Sequence, residues 1–178
     1  MNTIPTFASM DPEAGLKKAL GLSRPDIIAE ISASGLKGRG GAGFPTAVKW
    51  NFAASAKADR KYIICNADEG EPGTFKDRVI LQDHADLVFE GMTIAAKAVG
   101  AKEGILFLRG EYTYLRPHLE AVLAKRREKK LLGKDVLGAN LEFDIRIFMG
   151  AGAYICGEET ALIECLEGFR GEPRNRPP

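Results

Sequence analysis

A layered α/β fold with a mainly parallel sheet is predicted for this chain of 178 residues, and three observations predict it. Short apolar runs at 62–65, 105–108 and 143–148 read as strands. Helical stretches separate them, and strands alternating with helices imply parallel crossover connections. Turns rich in glycine and acidic residues follow the first and third strands, where open α/β sheets hold their ligands.

Each element has a local reason. Residues 1–10 read as a leader. Asp11 and Pro12 form an N-cap and first-turn pair, and Gly21 closes the short helix they open. Ser23 with Asp26 resembles a capping box with Asp in place of Glu, and that second helix is expected to end at Gly35. Residues 38–45 (Gly-Arg-Gly-Gly-Ala-Gly-Phe-Pro) form a flexible loop, and Pro45 opens a helix over 45–56. The strand at 62–65 is followed by a helix over 87–99, whose apolar residues include Leu87, Met92, Ile94, Ala95, Ala98 and Val99. After the strand at 105–108 a long helix is expected over 112–132, bent near Pro117. Its last turns carry Lys125, Arg126, Arg127, Lys129 and Lys130, which suit the negative end of a helix dipole and read as a solvated helix end. The strand at 143–148 alternates apolar and charged residues, as expected nearer a sheet edge. A helix over 157–166 follows it.

Composition excludes several classes of function. Hydrophobic residues make up 45% and charged residues 28%, as in an ordinary globular domain. A formal net charge of +1 argues against nucleic acid or an anionic membrane as partner. No apolar run approaches the roughly 18–20 residues that span a bilayer. The first ten residues lack the basic start and apolar core of a signal peptide, so a cytoplasmic setting is expected. Cys65, Cys156 and Cys165 contain no C-x-x-C pair, and His84 and His118 lie far from them in sequence; neither a disulfide framework nor a metal site is expected. No serine–histidine or cysteine–histidine set points to hydrolysis. Residues 1–34 read as leader and helices, and 35–178 as the α/β domain.

Three segments carry chemistry. In the loop 38–45, glycines let backbone N–H groups approach an anion, and the following helix adds its dipole. Gly38, Gly40 and Gly43 formally satisfy G-x-G-x-x-G, but the usual dinucleotide fingerprint follows a strand, whereas 23–34 reads as a helix. The loop suggests a nucleotide or flavin phosphate held by something other than an ordinary Rossmann βαβ unit; a plain turn is the competing reading. Residues 66–75 (Asn-Ala-Asp-Glu-Gly-Glu-Pro-Gly-Thr-Phe) place carboxylates and an amide after the first strand, either to bind a polar ring edge or ribose or as a solvated turn. Residues 150–160 bring Tyr154, suited to lie beside a flat heterocycle, and Glu158 and Glu159, which also fit simple helix capping. Together the segments suggest a cleft for a cofactor that does its own chemistry.

The stretches GLKGRGGAGFPTAVKW (35–50), CNADEGEPGTFKDR (65–78) and GAGAYICGEETALIE (150–164) resemble the FMN-binding domain of the NADH-oxidising subunit of respiratory complex I. The same domain occurs in diaphorase subunits of NAD-dependent hydrogenases and formate dehydrogenases. The resemblance implies a Rossmann-like sheet and an oxidoreductase that passes a hydride from NADH to non-covalent FMN, with electrons then released singly to iron–sulfur clusters. By position it implies that Gly38, Arg39, Gly40 and Lys49 line the flavin site, with Asn66, Asp68 and Glu69 on the ribityl chain and ring. Tyr154, Gly157, Glu158 and Glu159 would complete the cleft. For NADH, Phe44 and Phe52 would pack on the adenine, Glu71 and Glu159 would bind the nicotinamide or ribose end, and Arg176 would stand near the adenine clamp. No side chain need act as acid or base. Glutamates near a ribose lean towards NAD over NADP.

In the family, the proline pair at this point precedes an aromatic, an asparagine-rich loop that grips FMN, a ubiquitin-like domain and a helical domain holding a 4Fe–4S cluster. A fragment of a longer subunit is therefore expected, with weak FMN binding by itself. Implied partners are iron–sulfur subunits of a larger complex: a thioredoxin-like two-iron ferredoxin subunit, a hydrogenase, a formate dehydrogenase or complex I. No insertion into a membrane is implied, although a peripheral place on a membrane complex fits. The alternatives are a silent docking or assembly module, an Rnf-type electron-transport subunit, and a nucleotide-binding protein without flavin.

Overall fold

Strands β1 (Tyr62–Ala67), β2 (Glu103–Leu108) and β3 (Asp144–Met149) run parallel in the order β1-β2-β3, in a computed structural model that describes residues 13–175. The register is flush: Tyr62, Glu103 and Asp144 stand side by side at one end, and Ala67, Leu108 and Met149 at the other. The loops leaving all three strands therefore emerge along one edge. The expected parallel α/β layering is present, and β3 is an edge strand. The strand order follows the chain, so these strands contain no switch point, and the ligand-side loops gather at the carboxyl ends of β1 and β3 instead.

The helices are α1 (Ala14–Leu20), α2 (Arg24–Ala33), α3 (Thr46–Ser55), α4 (Lys76–Asp83), α5 (Ala85–Val99), α6 (Arg116–Glu128) and α7 (Glu159–Leu166). Helix α5 is the hub. Its Phe89, Met92 and Ala96 pack with Leu106 and Leu108 of the sheet, and it also touches α1, α2, α3, α4 and α6. Small residues Ala95, Ala96 and Ala98, all buried, let neighbours approach it closely. On the opposite face of the sheet, Leu162 and Leu166 of α7 pack over Phe107 and Phe148, whose rings stack at 5.3 Å. Ala19 and Ile27 of the N-terminal helices share a cluster with Ala98 and Trp50.

The predicted Asp11–Pro12 helix start lies outside the described residues. Within them the amide of Leu16 is met by buried Glu90 of α5 at 2.8 Å, so a carboxylate from far along the chain caps α1. Ser23 caps α2 as expected, accepting from the Asp26 amide. Pro45 stands one residue before α3, as its N-cap.

The long helix expected over 112–132 is broken. A 3₁₀ turn, Gly110–Leu115, kinks at Tyr112; α6 then starts with Pro117 in its first turn, where proline begins a helix and does not bend one. It ends at Glu128, before Lys129 and Lys130. Its basic end is not simply solvated. Arg126 is 1% exposed and binds Asp86 Oδ1 at 2.8 Å, and Arg127 donates to Asp144 and to the Ile145 carbonyl. Helix α4 is an addition to the expected set.

Candidate cofactor-binding site

The glycine loop is a small hairpin. The Gly38 amide donates to the Phe44 carbonyl at 3.0 Å and the Thr46 amide to the Leu36 carbonyl at 3.0 Å, leaving the loop between as a projecting lip. Gly43, at φ 64°, makes the return with a backbone that side chains disfavour. Lys49 follows in the first turns of α3, and its ammonium lies 3.2 Å from Glu159 on α7.

Opposite the lip stands the loop after β1. Glu69 is 5% exposed. Its carboxylate accepts from the Asp77 amide at 2.8 Å, the Arg78 amide at 3.2 Å, the Thr74 hydroxyl at 3.2 Å and the Tyr112 hydroxyl at 2.9 Å. This set caps α4 from outside the helix. Burial works against the charge on Glu69, but the hydrogen bonds outweigh it and hold the carboxyl below the ordinary glutamate range. Arg109, just past β2, donates to the Glu69 carbonyl and pairs with Glu111 at 2.9 Å, with its guanidinium 5.6 Å from the Tyr112 ring centre.

Asp68 differs from Glu69. It too is buried, yet its Oδ2 accepts no hydrogen bond among the described residues. Burial pushes its carboxyl up, Arg109 pulls the other way, and Glu111 adds to the rise. Asn66 ties two loops together: its Nδ2 donates to the Gly157 carbonyl at 2.9 Å, and its Oδ1 accepts from the Asp68 amide at 3.1 Å. Glu158 caps α7, accepting from the Thr160 and Ala161 amides at 2.9 and 3.0 Å. Tyr154 lies against Gly70, and its hydroxyl donates to Glu71 at 2.7 Å across the mouth. That hydrogen bond raises the tyrosine pKa.

These parts enclose a cavity of about 900 Å³. Gly38, Arg39, Gly40 and Lys49 form one wall, and Asn66, Asp68, Glu69 and Glu71 another. Tyr154, Gly157 and Glu158 complete it. A second hollow of about 660 Å³ shares the glycine lip, Lys49, Asn66, Gly157 and Glu158, and adds Phe44, Glu159 and the exposed apolar residues Tyr62 and Ile64 of β1. Phe52, two turns into α3 and 66% exposed, lines neither hollow. Arg176 lies outside the described residues. Sequence reasoning did not single out Thr74, Lys76 and Asp77 in the cavity wall, nor Arg109 and Tyr112 behind it. Arg109 follows a strand end, and the rule that flagged the other two strand-end loops also applies to it.

Residues 31–178 match the family described as the Nuo51 FMN-binding domain. The chain belongs to this family. Over 164 residues it is 56% identical to the alpha subunit of the NAD-reducing hydrogenase HoxS of Cupriavidus necator, covering 92% of this chain and 27% of that one. It is 51% identical over 163 residues to an NADH-quinone oxidoreductase subunit of Aquifex aeolicus, covering 92% of this chain and 38% of the relative. The crystal structure of an air-oxidised NAD⁺-reducing [NiFe]-hydrogenase superposes with a TM-score of 0.83 at 47% identity, over 96% of this chain and 28% of that chain. The resemblance read from the three motifs is borne out. The chain spans about a quarter to two-fifths of the length of these relatives. Among the described residues no helix is long and apolar enough to cross a membrane.

Proposed function

We propose that the chain holds FMN and NADH for an NADH-oxidising, diaphorase-type oxidoreductase. The observation that carries this reading is the buried, unpartnered Asp68 Oδ2 in a cavity whose other wall is a cationic glycine lip. A ligand with an anionic end and hydrogen-bond donors in its body fits both, and FMN has both. The amides of the lip, with Arg39 and Lys49, would take the phosphate. Asp68 would accept from a hydroxyl or ring N–H, and the Tyr154–Glu71 pair would restrict water at the mouth. Glu69, saturated by four donors, holds α4 and the loop in place.

Bound FMN supplies acceptance of a hydride from a nicotinamide and release of electrons one at a time. The chain's share is binding and alignment, and no residue is assigned as acid or base. Phe44 and Glu159 beside the second hollow, with Glu71, are the NADH-side residues of this reading; Phe52 and Arg176 would join them at the adenine. By analogy with its relatives the chain serves a multi-subunit complex. Electrons would leave to iron–sulfur partners, including a 4Fe–4S cluster in the remainder of a longer subunit.

A visible-absorption titration with FMN, followed by anaerobic NADH, tests the proposal. A perturbed flavin band that bleaches with NADH is expected. An unperturbed band in a protein that still binds ADP would replace this reading with a nucleotide site lacking flavin.

A further inference from the structure

Behind the cavity wall, packed with Phe107 and Leu162, lies a pair of thiols that the proposed chemistry does not use. Cys156, 2% exposed, lies in the 3₁₀ turn Tyr154–Gly157, the turn that presents Tyr154 and Gly157 to the cavity. Its Sγ is 3.0 Å from Sγ of Cys165, which is half-buried on α7. A disulfide needs about 2.0 Å, so closure asks the sulfurs to approach by roughly 1 Å, within what side-chain torsions supply. Gly171 packs its backbone directly on the pair: a Cβ there would come within 2.7 Å of both sulfurs. That segment is itself held to α7, where the Arg174 amide donates to Thr160 Oγ1 at 2.9 Å.

We propose that Cys156 and Cys165 form a redox-active dithiol that hydrogen peroxide closes to a disulfide, clamping the turn Tyr154–Gly157 to α7. Cys165, the more accessible of the two, meets the oxidant first. Its thiolate attacks the peroxide: an S–O bond forms, the O–O bond breaks, and water leaves after protonation. The Cys156 sulfur, giving up its proton, then attacks the sulfenic sulfur; the S–S bond forms, the S–O bond breaks and a second water leaves. Each sulfur loses one electron, and the peroxide gains two. Burial and the contact with Cys165 push the Cys156 thiol up to about 12, consistent with its acting second. Cys65 stays out of the exchange, since it packs against the core on the α5 side of the sheet and burial pushes its thiol up to about 12. The proposal uses only the place of the turn in the wall and stands whether or not FMN is the occupant.

Both cysteines fall in one tryptic peptide, residues 147–170, so the protein at its encoded length can be mapped directly. After brief exposure to hydrogen peroxide and alkylation, that peptide is expected to lose both alkylation sites and to weigh two hydrogens less than the dithiol. A dithiol reductant restores both sites, and Cys165→Ser abolishes the change. Amide exchange at Cys156 and Glu158, which donate to Ala153 and Ile155 within the turn, is expected to slow at least threefold in the oxidised protein. A peptide that stays fully alkylated, or carries sulfinic acid on Cys165 with Cys156 still free, overturns the dithiol. A disulfide that leaves exchange of the turn unchanged overturns the clamp.

Discussion

Tyr112→Phe removes one oxygen and leaves the ring, and it tests the claim that Glu69 is a structural anchor. The hydroxyl donates at 2.9 Å to a carboxylate that is 5% exposed, from a residue itself 8% exposed. A hydrogen bond to a buried charge contributes about 1.5–3 kcal/mol, and little water reaches the site to replace it. For a chain of this size that corresponds to a fall in Tm of roughly 3–12 °C. Urea unfolding, followed by the fluorescence of the single tryptophan, Trp50, measures it. The pH dependence supplies a second reading. The folded pKa of Glu69 lies below its unfolded value, so the stabilisation is complete above about pH 4.3 and drains away as pH falls through the folded value. Tyr112→Phe removes one of the donors that depress that pKa, so the mutant should lose less stability on acidification, its loss starting at the same pH and ending at a higher pH than in the parent. A loss under about 0.5 kcal/mol, the scatter of neutral surface changes, with an unchanged acid limb, refutes the anchor.

Asp68→Asn should act in opposite senses on stability and on binding. The folded pKa is raised, so near neutrality the buried charge opposes folding, and the amide should stabilise the ligand-free protein by about 1 kcal/mol while weakening FMN binding about tenfold. Parallel thermal melts and flavin titrations separate the two, and a variant that binds FMN unchanged would remove Asp68 from the site. Gly110→Ala places a Cβ 2.8 Å from the Gly150 carbonyl oxygen and 2.9 Å from the Gly152 amide nitrogen. Backbone must move, so a loss of about 1–3 kcal/mol is expected together with weaker flavin binding; wild-type values for both would show that the loops after β2 and β3 are not packed as described.

The fold was legible where a residue's reason is local. Apolar runs marked all three strands, and Ser23 and Gly21 marked helix ends. What stayed hidden depends on partners distant in sequence. Helix α4 has no local side-chain cap; Glu69, seven residues before it, takes its first amides. The burial of Arg126 follows from Asp86, forty positions earlier, which no charge count along α6 reveals. The break in the expected long helix reflects Tyr112 turning inward to Glu69. The cavity was more readable, because glycines and carboxylates after strand ends are unusual residue choices for scaffold. Its supports, Arg109 and Tyr112, resemble ordinary surface residues until their partners are seen.

The bond from Asn66 to the Gly157 carbonyl joins the end of β1 to the loop after β3, with β2 lying between them. Asn66 belongs to β1 itself, so one end of this tie is fixed to the sheet. The other end sits in a loop anchored by β3 on one side and by the Glu158 cap of α7 on the other. A loop pinned at three places has little freedom to lengthen or shorten. Residue identity along 150–158 can drift where side chains face outward, but the number of residues between β3 and α7 is the dimension this architecture holds fixed.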